Sequence, residues 1–133
     1  MGTATNTTTA STVTKPDNAV GYIAILMALI TGVLHLVAAT NAIQFSQLLG
    51  ILFVLNGLGF LGGAGLYLTN YWRNELFIVA AVYSIVTILA LFVFQGWTVE
   101  AFYMQGNINP LAVITKAAEA VLAVCAIYLY AAE

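Results

Sequence analysis

Four apolar stretches, each about as long as a membrane-spanning helix, occupy most of residues 19–130. The last of them, ITKAAEAVLAVCAIYLY, carries an ionisable pair, Lys116 and Glu119. Charges within such a stretch are costly and demand a structural or functional reason. The rest of the sequence agrees with a membrane setting. The chain is 62% hydrophobic and only 6% charged, against about 45–50% and about 25% in soluble domains. Three basic and five acidic residues cannot clothe a water-soluble surface, whereas a bilayer removes the need for one. The predicted fold class is all-α, a four-helix transmembrane bundle with short loops and a disordered N-terminal tail.

The tail covers residues 1–18, rich in Thr, Ser and Asn, and ends in Lys15-Pro16-Asp17-Asn18. Low hydrophobicity predicts disorder there, with Asp17 or Asn18 as a cap for the first helix. The tail lacks the charged-then-apolar order of a signal peptide, so the first apolar stretch is expected to be retained. Met1-Gly2 is not followed by the Ser or Thr that myristoylation wants, because Asn6 stands there. The membrane domain, 19–133, is expected to have spans at about 19–39, 45–68, 76–94 and 110–130. TNAIQF links the first two spans, TNYWRNE the next two, and QGWTVEAFYMQGNIN, exposed or interfacial, precedes the last. Asn109 and Pro110 make a good cap and first-turn pair for the fourth helix.

Four spans put both termini on one side of the membrane. Tyr22, Tyr67, Tyr71, Trp72, Tyr128 and Tyr130 all fall at span ends on that side, and Trp97 and Tyr103 on the other, as expected of an interfacial aromatic belt. Lys15 and Arg73 lie on the terminal side and the opposite loops contain no basic residue. The positive-inside rule therefore predicts cytoplasmic termini in the cell membrane. Asn6-Thr7-Thr8 is a glycosylation triplet that would need the tail outside, but such a triplet arises easily in a Thr-rich tail.

Candidate functional residues are few. A single Cys, Cys125, excludes an internal disulfide, and a single His, His35, excludes two-histidine haem ligation within one chain. A net charge of −2 offers no field for nucleic acid. No catalytic set, metal site, phosphate loop or cofactor is expected. In the second span, LNGLGFLGGAG crowds Gly57, Gly59, Gly62, Gly63 and Gly65 together, with Asn56 beside them. Gly59 and Gly63 form a GxxxG pair. The expected role of the run is helix packing, within the chain or between chains; helix opening around a substrate is the rival. At the helical rise, Lys116 lies about 9 Å and Glu119 about 13 Å into the fourth span, on one face. His35 lies about 6 Å from the matching end of the first span. His35, Lys116 and Glu119 thus form a candidate polar cluster, with Asn41, Gln44 and Gln95 at the adjacent boundary. Packing or subunit anchoring is the expected use, with proton or cation handling and metal or cofactor contact as rivals.

The combination of TGVLHL, LGILFVLNGLGFLGGAGLYL, a short loop with Arg73, and ITKAAEAVL resembles a set of small uncharacterised archaeal four-span integral membrane proteins over about residues 21–130. That resemblance implies no activity. It implies that His35, the glycine run and the Lys116 region belong to one design. The expected role is a small non-catalytic accessory subunit of a membrane complex, such as an archaeal energy-metabolism oxidoreductase of the ammonia monooxygenase type. Its partners would be the lipid bilayer and other membrane subunits or further copies of itself. The alternative is a homo-oligomeric transporter of protons, cations or another small solute that uses Glu119 and His35.

Overall fold

The computed structural model describes residues 12–132. Helices α1 (Ala19–Phe45), α2 (Gln47–Tyr67), α3 (Leu76–Gln95) and α4 (Pro110–Ala131) follow in order. A 3-10 turn, Val99–Phe102, and a short hairpin, β1 (Tyr103–Met104) with β2 (Asn107–Ile108), lie between α3 and α4. All four helices are long and apolar enough to cross a membrane. The expected all-α four-helix transmembrane bundle is therefore the fold.

Local sequence sets the helix ends. Asn18 caps α1 by accepting from the Gly21 N–H at 3.2 Å. Pro110 occupies the first turn of α4, and Asn109 stands at its cap position without a side-chain cap bond. Helix α1 is longer than expected. TNAIQF, the anticipated linker, is helical, and Ser46 alone separates α1 from α2. Ser46 ends one helix through its N–H to Ala42 O and starts the next by accepting from the Leu49 N–H at 3.2 Å. In the tail, Thr12–Asn18 is placed against the α2–α3 turn: Thr14 N donates to Leu68 O at 2.7 Å and Asn70 N to Thr12 O at 2.9 Å. The expectation of disorder for residues 1–11 falls outside the described residues. The tail pairing puts residues 12–18 and the α2–α3 turn on the same side, as an even number of spans requires.

In the bundle α1 packs against both α2 and α4, and α4 packs against α3. The core is made of small residues: Ala24, Ala28, Ala64, Ala81, Ala118, Ala123 and Ala126 are buried, with Phe60, Phe77, Leu122 and Leu129 filling the wider gaps. Large apolar residues point outward instead; Val33 is 49% exposed, Leu55 59% and Val124 67%. Lipid tails are as apolar as leucine, so helices in a bilayer associate through close packing and hydrogen bonds rather than through hydrophobic burial. Small inside and large outside is the pattern that follows.

A close backbone approach lies between α1 and α2. A Cβ added to Gly32 would meet Gly57 O at 3.1 Å, and one added to Gly57 would meet Gly32 O at 2.8 Å. Helices α2 and α3, although consecutive, do not pack along their lengths. Side chains span the gap between them, with the Phe60 and Tyr83 rings edge-on at 4.8 Å and Tyr83 OH donating to Asn56 O at 3.0 Å.

Candidate functional site

Helix α4 supplies the centre of the site. Three residues apart, Lys116 and Glu119 project from one face, and Lys116 Nζ lies 2.9 Å from Glu119 Oε1. Glu119 has no exposed surface. Its second oxygen, Oε2, accepts from Thr31 Oγ1 on α1 at 2.5 Å. Lys116 Nζ also donates to the Thr87 carbonyl on α3 at 3.2 Å. Thr87 Oγ1 in turn donates to Asn56 Oδ1 on α2 at 3.2 Å. One chain of polar contacts thus ties all four helices together.

His35 joins this chain through Thr31. Its Nδ1 lies 2.8 Å from the Thr31 carbonyl. A carbonyl only accepts, so Nδ1 carries the proton. The contact of 3.2 Å between Nδ1 and Thr31 Oγ1 is then a shared donation, because that hydroxyl gives its own hydrogen to Glu119. His35 Nδ1 and Glu119 Oε2 are 3.8 Å apart, too far for a direct hydrogen bond; the Thr31 hydroxyl bridges them. The His35 ring packs against Phe53 at 5.5 Å and Phe60 at 6.0 Å.

Depth along the helices explains the meeting. Because α1 runs on to Phe45, His35 is about 15 Å from its end rather than about 6 Å. Glu119 is about 14 Å from the start of α4 at Pro110. The cluster therefore sits near the middle of the spans, in one layer across the bundle. On the side of the termini it gives way to the apolar core formed by Ala24, Ala28, Phe60, Phe77, Ala126 and Leu129. His35, Lys116, Glu119 and Asn56 are thus brought together. The boundary residues Asn41, Gln44 and Gln95 are exposed and stand outside the cluster.

The glycine run divides its tasks. Gly57 makes the close crossing with α1, and Gly59 lies against the Tyr83 hydroxyl, which a Cβ would overlap. Gly62, Gly63 and Gly65 would meet nothing within 4 Å. The Gly59–Gly63 pair does not join two backbones inside the chain; the glycines that do are Gly57 and Gly32. Two members of the polar chain had no place in the sequence reading. Thr31 stands one turn before His35 on the same face, a spacing that could have drawn attention to it. Thr87 contributes its hydroxyl to Asn56 and its backbone carbonyl to Lys116, and no residue type announces the latter.

Chemically the arrangement is closed. Both carboxylate oxygens are engaged, and the ammonium has a counter-ion and a carbonyl. Among the described residues, no three His, Cys, Asp or Glu side chains come together in a metal-binding group. The fold and the site define an integral membrane bundle braced at mid-depth by an internal ion pair. The chain belongs to DUF7475, a family of unknown function, whose model matches residues 6–130. No curated protein and no solved structure matches the chain.

Proposed function

We propose that the protein is a small non-catalytic subunit of a larger membrane assembly, contributing packing surface rather than chemistry. The observation that carries this reading is the internal consumption of its polar groups. Glu119 is fully buried with both oxygens bonded inside the chain, which leaves no open position for a substrate. The outward surface is apolar, and Gly62 and Gly65 on α2 present a backbone face with nothing upon it among the described residues, which suits close approach by another helix. The ion pair then braces the subunit itself instead of docking it to a neighbour. The assembly in mind is an energy-metabolism oxidoreductase in an archaeal cell membrane, with both termini cytoplasmic. Purification in mild detergent followed by native mass spectrometry tests this reading. Further subunits at fixed stoichiometry are expected, and a lone monodisperse monomer would overturn it.

A second reading has one observation in its favour. The Thr31 hydroxyl lies between His35 Nδ1 and Glu119 Oε2, an arrangement through which a proton could pass. A homo-oligomer moving protons or small cations would then use Glu119 and His35. Proteoliposome flux compared with Glu119→Gln decides it. Flux that is absent, or unchanged by the substitution, removes the transport reading.

A further inference from the structure

Between α2 and α3 the bundle lacks the helix-to-helix packing that joins α1 to α2, α1 to α4 and α3 to α4. A cavity of about 170 Å³ fills the lower half of this gap, lined by Gly59, Gly63, Phe77, Tyr83 and Leu122 and reaching Trp72 at the α2–α3 turn. A more open hollow of about 490 Å³ shares Val79 and Tyr83 with it and extends to Asn56 and Thr87. They follow one another along α3 from the interfacial turn to the Thr87–Asn56 hydrogen bond, with the Tyr83 side chain, bonded to Asn56 O, crossing the gap where the two meet.

Length, width and polarity each restrict what can lie there. From Leu76 to Thr87 the groove follows α3 for about 16 Å, close to one leaflet of a hydrocarbon layer about 30 Å thick. The lower cavity is comparable to apolar cavities of about 150 Å³ that accept a benzene, and it is far too narrow for a helix about 10 Å across. Water needs two to four polar partners, and the lower lining is almost wholly apolar. One exception stands at the interfacial end. Trp72 Nε1 is buried and has no hydrogen-bond acceptor among the described residues, although its ring is held edge-on by Tyr67 at 5.1 Å and Phe77 at 5.2 Å. The other buried atom without a partner among the described residues, Asn74 Oδ1, belongs to the same turn. A buried N–H left without an acceptor costs about 1–3 kcal/mol, so an occupant with an oxygen at this height would recover a bond once the ring turned its Nε1 toward the cavity.

We infer that the α2–α3 groove is a lipid site. It would take one acyl or isoprenoid chain from the terminal-side leaflet, with an oxygen of the lipid's linkage or headgroup accepting from Trp72 Nε1. Gly63 keeps the channel open, since a side chain there would grow into the cavity rather than into a neighbour.

The probe is dioleoyl phosphatidylglycerol added to detergent-purified full-length protein and read by native mass spectrometry. One lipid retained per chain is expected. Gly63→Phe should lower the retained fraction at least fivefold. Gly62→Phe, equally bulky but outside the cavity lining, should leave it unchanged, and Trp72→Phe should weaken retention severalfold. A second measurement needs no variant of the groove. In Trp97→Phe protein the sole indole is Trp72, and phosphatidylglycerol brominated on its chains should quench its emission saturably, at one lipid per protein. Equal retention by all variants, quenching that rises only in proportion to bulk bromolipid, or a lipid-free protein dimer would each overturn the proposal.

Discussion

Glu119 and Lys116 show how a charge is made tolerable at mid-depth. Neither is neutralised by solvent; each is held by the other and by one group from a neighbouring helix. Removing one partner of such a pair strands the other, a loss of about 3–5 kcal/mol, whereas replacing both with apolar residues is often neutral. Lys116→Met alone and Glu119→Leu alone should therefore each lower stability strongly, and the double substitution should recover most of the loss. Unfolding in bicelles followed by circular dichroism measures this cycle; additive losses would show that the two residues act separately. Thr31→Val should cost about 1.5–3 kcal/mol, the range for a hydrogen bond to a charged group. The sequence made the pair legible from its spacing and put His35 in the same half of the membrane, but at about 6 Å from its span end rather than at the depth of Glu119. It could not show that α1 and α4 are neighbours, and the role of Thr31 depends on that adjacency.

Glycines in α2 are equivalent in sequence and unequal in structure. Gly57 faces the α1 backbone, so Gly57→Ala forces Cβ to 2.8 Å from Gly32 O and should separate the helices at a cost of about 1–3 kcal/mol. Gly62→Ala meets open space and should be neutral or slightly stabilising in the isolated protein, since Ala is the better helix former. Comparing the two unfolding midpoints checks the distinction; equal destabilisation would contradict the Gly32–Gly57 crossing. The same element-level limit explains the end of α1. Polar residues in TNAIQF mark where a segment can leave hydrocarbon, not where its backbone stops being helical. At 27 residues, α1 is about 40 Å long, longer than a hydrocarbon layer of about 30 Å. Its last turns can therefore stay helical while carrying Thr40, Asn41 and Gln44 at the interface. That extension moved His35 to the depth of Glu119.

At the scale of the molecule, the two faces differ in kind. The terminal side carries the paired tail and turn, together with Lys15 and Arg73, both exposed. Glu75 lies 3.3 Å from Arg73 and is exposed as well, but acidic residues contribute little to topology, so the basic signal stands. The opposite side carries the 3-10 turn and the hairpin, a connection in which Trp97, Val99, Met104 and Ile108 are all more than half exposed. Trp97 stacks on Phe92 at 5.8 Å, which holds the start of this connection against the end of α3, where apolar side chains can enter the interface. The proposed orientation places this hairpin outside the cell and the α2–α3 turn inside. Glu100 and Asn70 are exposed positions on the two faces, and Cys125, buried in the core, can be replaced by Ala to remove the native thiol. In that background a membrane-impermeant maleimide should label Glu100→Cys in intact cells, and Asn70→Cys only after permeabilisation. The reverse pattern would invert the orientation while keeping the bundle. Labelling of both positions in intact cells would contradict a single four-span topology, because the turn and the hairpin lie at opposite ends of α3.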